Sequence, residues 1–124
     1  MKELKSYIFL LILLTVSSFN GVASDLTVSD LRCNNLINPL GIESQYPTLS
    51  WEIKSEEDNK SQTAYQILVS SNLQDLLNDN GDIWNSGKVL SGNSTNVSFE
   101  GKALNSGENY FWKVKIWDEA GNES

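Results

Sequence analysis

Ten residues near the C-terminus, from Asn109 to Asp118, constrain the fold of this chain more than any others. Tyr110, Trp112, Val114 and Ile116 alternate with Lys113 and Lys115, the period of two that belongs to a half-buried strand and not to a helix. The run reads as the central strand of a sandwich. Leu104 stands six residues upstream of Tyr110, across a polar turn holding Ser106 and Gly107. That spacing suits a tyrosine corner, in which the phenol bonds back to the connection before its strand.

The other end of the chain carries a different signal. Lys2 and Lys5 form a short basic region, Tyr7 to Val16 is almost unbroken apolar sequence, and Ser17 to Ser24 is small and polar. This is the layout of a secretory signal peptide over residues 1–24, with cleavage after Ala23 or Ser24. The apolar run is shorter than the roughly 20 residues of a bilayer span, so no membrane attachment is expected after cleavage. Export would end in the periplasm or outside the cell. Loss of the leader removes Lys2, Lys5 and Glu3, leaving the domain one unit more negative than the −7 of the whole chain. Such a surface repels phosphate backbones, which argues against nucleic acid as a partner. With one cysteine no internal disulfide can form, and Cys33 reads as a small buried apolar residue.

Between these ends the chain reads as a series of short strands. Leu26 to Cys33 alternates loosely and suits an edge strand, with Leu26, Val28, Leu31 and Cys33 inward. Pro39 and Pro47 lie in a turn-rich connection, since neither can donate to a ladder. Thr48 to Ser55 puts Leu49, Trp51 and Ile53 on one face, and charged Glu56 to Gln62 reads as a solvated hairpin loop. Thr63 to Ser71 puts Tyr65, Ile67 and Val69 inward. Leu73, Leu76 and Leu77 have helical spacing, giving one helical turn that caps the sandwich before Asn80-Gly81. Short strands follow at Ile83 to Val89, interrupted at Ser86-Gly87, and at Asn96 to Glu100. Turn signals at intervals of about ten residues mark an all-β sandwich or barrel. After Asp118 there is only a turn, so the single domain of residues 25–124 is expected to lack its last strand and to leave its central strand as an open edge.

Chemistry is harder to find. Without histidine there is no His-based triad and no usual zinc site. No glycine loop suits a phosphate. Asn78 to Asp82 imitates a calcium loop, but with Gly81 at the invariant glycine the first ligand would be Leu76 and the last acid Gly87, so the pattern fails at both ends. No metal or cofactor is expected. Glycoside hydrolysis needs two carboxyl groups facing each other across a sugar, one of them desolvated. Nothing marks Glu108, Asp118, Glu119, Glu56, Glu57 or Asp58 in that way, and they read as solvated surface. No catalytic residue is assigned.

The aromatic residues say more. Trp51, Tyr65, Phe99, Tyr110 and Trp112 are explained as core by alternation. Phe111 and Trp117 fall on the opposite face of the same strand, and Leu68 joins them if its strand is the neighbour. An apolar patch on an outer sheet face serves either another domain or a stacked sugar. Because Lys113 and Lys115 are the only polar neighbours on that face, domain packing is favoured. Trp84, on a turn-flanked strand, fits either role.

Six stretches carry a resemblance: Leu31 to Cys33, Asn38 to Ile42, Pro47 to Trp51, Gln62 to Val69, Ile83 to Val89 and Tyr110 to Asp118. In this order and spacing they resemble the opening of large secreted bacterial α-L-rhamnosidases. The likeness covers essentially the whole chain after the leader. Asn85 stands where that family commonly has an aspartate, a departure that bears on a turn. The resemblance implies an N-terminal fibronectin type III-like or immunoglobulin-like antiparallel β-sandwich. It implies that the acid and base belong to a helical barrel far downstream, so this chain is not an enzyme on its own. The parent would release terminal rhamnose from plant glycans by inversion, and the downstream domains of the same polypeptide would be the main partner.

Overall fold

The computed structural model describes residues 3–6, 26–34, 45–56 and 60–124. The remainder of the leader, the Asn38 to Gly41 turn and the loop acids Glu57 and Asp58 lie outside the described residues. The strands are β1 (Glu3–Ser6), β2 (Leu26–Cys33), β3 (Thr48–Ser55), β4 (Ala64–Ser70), β5 (Trp84–Asn85), β6 (Val97–Ser98) and β7 (Asn109–Trp117), with one helix, α1 (Leu73–Leu77), after β4. They form two sheets, ordered β1-β7-β4-β5 and β2-β3-β6.

Strand β7 behaves as its alternation requires. Tyr110, Trp112, Val114 and Ile116 are buried, and the residues between them are half-exposed. It pairs antiparallel with β4 over seven residues, from Ala64 opposite Trp117 to Ser70 opposite Phe111. The inward side chains of both strands meet Leu26, Leu49 and Trp51 from the facing sheet. The tyrosine corner is present: the Asn105 N–H donates to the Tyr110 phenol at 2.8 Å, and that hydroxyl donates to Glu108 Oε2 at 2.8 Å. Leu104, beside the corner, is fully buried.

The loose alternation of β2 has a local cause. Its pairing with β3 shifts register between Ser29 and Arg32, and Asp30 sits at φ 47°. A bulge with one left-handed residue moves the inward positions from Leu26 and Val28 to Leu31 and Cys33. All four are buried.

Two expectations need correction. Residues Glu56 to Gln62 do not close a hairpin, because β3 pairs only with β2 and β6 while β4 pairs with β5 and β7. The segment is an arch from one sheet to the other. Gln62, 6% exposed, pins its far end: Oε1 accepts from Trp51 Nε1 at 2.9 Å, while Nε2 donates to the carbonyls of Ser91 and Asn93, both at 2.9 Å. A buried carboxamide satisfied on both sides holds the crossing where a hairpin turn would need only local bonds. Second, α1 does not cap an end of the sandwich. It lies on the outer face of the β7-β4 sheet, where Leu76 packs with Leu68 and Phe111.

Along its edge away from β4, β7 carries two partners. Residues 3–6 run parallel to it, Glu3 opposite Asn109 through Ser6 opposite Trp112. At the other end the chain turns at Asp118, whose carboxylate accepts from the Ala120 and Asn122 amides at 2.9 Å. Glu123 then bridges Trp117 in antiparallel sense, and the Ser124 N–H donates to the Ile116 carbonyl at 2.9 Å.

Candidate functional site

The carboxylates near strand ends have structural work. Glu108 completes the tyrosine corner and Asp118 shapes the final turn. Glu119 accepts from the Ser61 amide at 2.7 Å, and the Ser61 hydroxyl bond, ahead of other causes, holds its carboxyl below the usual range. Burial raises Asp82, but bonds from the Ser71 hydroxyl and amide outweigh this and leave it lowered. Burial pushes the Cys33 thiol up to about 12, which leaves it protonated and inert at neutral pH. Among the described residues no group of three or more acidic or thiol side chains is placed to hold a metal ion.

Of the four residues singled out for interdomain or sugar contact, the structure brings together two. Leu68 is buried under α1, in contact with Leu76 and the half-buried Phe111. Trp117 lies six residues along β7 from Phe111, about 20 Å at the usual rise, with Lys88 Nζ 4.5 Å from its ring centroid. Trp84 is on the other side of the sheet. It pairs with the inward-facing Val69 and meets Phe99 edge to face, centroids 5.2 Å apart. Gly101 makes room for it: a Cβ there would come within 2.5 Å of the Trp84 Cβ and 2.7 Å of Phe99.

Spacing along the chain carries no sign of one further concavity, because it is made by absence of pairing. Strands β5 and β6 are two residues each, so the seam between the sheets stays open where they end. A groove of about 400 Å³ lies there, with Tyr65, Trp84, Asn93, Asn96, Ser98 and Glu100 among its lining. Tyr65, which alternation places in the core, is half-buried at this seam. Its ring packs edge to face on Trp51 at 5.3 Å. Burial, and then the nearby Glu100 charge, raise its phenol above the ordinary value.

Residues 28–124 match the family model described as the Rha78A-like N-terminal immunoglobulin domain. The chain belongs to this family. An α-L-rhamnosidase of Formosa agariphila is 43% identical over 122 residues, covering 94% of this chain and 13% of the relative. One from Streptomyces avermitilis is 37% identical over 82% of this chain and 10% of its own length. Among solved structures, the α-L-rhamnosidase of Dictyoglumus thermophilum superposes with a TM-score of 0.78 at 41% identity, over 83% of this chain and 12% of that one. The Streptomyces avermitilis enzyme, solved with L-rhamnose, gives 0.75 at 36%, over 80% and 9%. The chain thus spans about a tenth of the length of the rhamnosidases it matches. What the Rha78A-like immunoglobulin domain shares with them is a small N-terminal part.

Proposed function

We propose that this domain is a non-catalytic module of an exported α-L-rhamnosidase-like glycoside hydrolase, which packs against and supports the catalytic body. The observation that carries the reading is coverage: nearly the whole chain aligns with about a tenth of each relative. The parent polypeptide would invert the anomeric centre while releasing terminal rhamnose from plant glycans, with acid and base supplied downstream. Covering of Leu68 by α1 favours domain contact over a sugar-stacking platform on the outer face. Trp117 and the exposed side of Phe111 would supply that contact.

With residues 1–24 removed, the edge of β7 that residues 3–6 occupy would be free to receive a further strand. Ser124 lies opposite Ile116 on the edge that residues 3–6 also use. Continued antiparallel pairing from Ser124 would run along Lys115, Val114 and onward, and would replace β1 once the leader is cleaved. The test is a chimaera in which this domain replaces the N-terminal domain of the Formosa agariphila enzyme, beside a version with that domain deleted. The chimaera should keep rhamnosidase activity, and the deletion should lower its Tm. Equal Tm and activity in intact and deleted enzymes would refute the supporting role. For export, mass spectrometry of the secreted protein should find a new N-terminus at Ser24 or Asp25.

A further inference from the structure

The groove at the open seam has a composition that the packing role leaves unused. We infer that it is a binding subsite for a neutral pyranose unit of a glycan, separate from the outer face of the β7-β4 sheet. Its volume of about 400 Å³ falls within the range of small-ligand sites. Two of its walls are aromatic, and both rings are fixed from behind: Tyr65 by Trp51 and Trp84 by Phe99, each in an edge-to-face contact. A ring held this way loses little freedom when a sugar face stacks on it, so its contact area is available to binding without an ordering cost.

Three polar groups converge on the groove without employment in the fold. Among the described residues the Tyr65 hydroxyl, the Asn96 carboxamide and the Glu100 carboxylate have no hydrogen-bond partner, whereas the backbone amide of Asn96 is anchored on Ser50 Oγ at 2.9 Å. A phenol that donates and accepts, an amide that does both and a carboxylate that accepts form a set suited to sugar hydroxyls. The carbonyls of Ser91 and Asn93 are held by Gln62, so the loop carrying Asn93 and Asn96 is tied to the core. Charge selects among sugars. No lysine or arginine lines the groove, Glu100 does, and the chain carries −7. Uronates, sulfated sugars and phosphates would be repelled.

The test uses the full chain labelled with 15N. Methyl α-L-rhamnopyranoside, methyl β-D-glucopyranoside and methyl β-D-galactopyranoside are titrated in turn, with glucuronate as the anionic comparison. At least one neutral glycoside should give saturable shifts of the Trp84 indole and Asn96 side-chain signals, and glucuronate none. Asn96→Gly removes the carboxamide while suiting the left-handed backbone at φ 51°, and Glu100→Gln removes the charge. Both sites are exposed, so both variants should fold with unchanged Tm. Each should weaken binding by about tenfold, the effect of losing one or two hydrogen bonds. Absence of saturation with all three glycosides overturns the inference. So do shifts confined to Phe111 and Trp117, or affinity unchanged in both variants. The deletion test of the supporting role reads Tm and turnover, so either reading can fail alone.

Discussion

Tyr110 shows how one residue joins burial to polarity. Its ring fills the core at 1% exposure, while its hydroxyl receives the Asn105 amide and donates to Glu108. Tyr110→Phe keeps the ring but orphans the amide, and should cost about 1–3 kcal/mol, read as a lower denaturation midpoint at unchanged m-value. Burial raises the Tyr110 phenol first; the Asn105 bond opposes this, and Glu108 adds to it. A folded pKa above the unfolded one means stability that is complete below about pH 10 and is lost as pH rises through the folded value. Alkaline titration of stability should therefore fall less steeply in Tyr110→Phe. At Gly101 the constraint is space: a methyl group would meet Trp84 and Phe99 at 2.5 and 2.7 Å. Gly101→Ala should destabilise by about 1–3 kcal/mol through overpacking and change near-ultraviolet tryptophan dichroism. Gly107→Ala tests another mechanism, since φ there is 81° with open space around it.

At the scale of elements, a short helix decides what the outer sheet face can do. Five residues cannot hold a helix alone, so α1 depends on its cap and its packing. Asn72 Oδ1 accepts from the Gln74 and Asp75 amides at 2.7 and 3.3 Å, and Leu76 is fully buried on Leu68 and Phe111. Leu76→Ala should cost about 2–4 kcal/mol, and Asn72→Ala about 1 kcal/mol, both measured by denaturant unfolding. The helix period was legible in Leu73, Leu76 and Leu77, but its seat was not. Spacing names the apolar face of an element and leaves open which surface receives it. The arch at Glu56 to Gln62 illustrates the same limit. Its polarity is common to hairpin loops and sheet-to-sheet crossings, and only the bonds of Gln62 distinguish them.

For the whole molecule, removal of residues 1–24 would leave the outer edge of β7 without the β1 partner it has in the full chain. Backbone groups on alternate residues point to the same side of a strand. Since Ile116 bonds toward Ser124 on that side, Val114 and Trp112 present their amides there too. In the chain from Asp25 onward, the Val114 amide should exchange hydrogen much faster than that of Ile67 within β4, and the protein should self-associate through the open edge. Extension by about fifteen residues, enough for a turn and a strand, should slow Val114 exchange and restore a monomer. Equal exchange and equal mass by sedimentation would sink that view. Local rules were enough to read the strands, the core residues and the tyrosine corner, because alternation and turn chemistry act over a few residues and need no partner. The sequence alone therefore determined an all-β sandwich with Tyr110, Trp112, Val114 and Ile116 inward. Which strands share a sheet, where α1 rests and how the seam opens beside Tyr65 and Trp84 depended on residues distant in sequence. Those were decided only by tertiary structure, since burial and pairing of one segment are defined by the surface another segment brings to it.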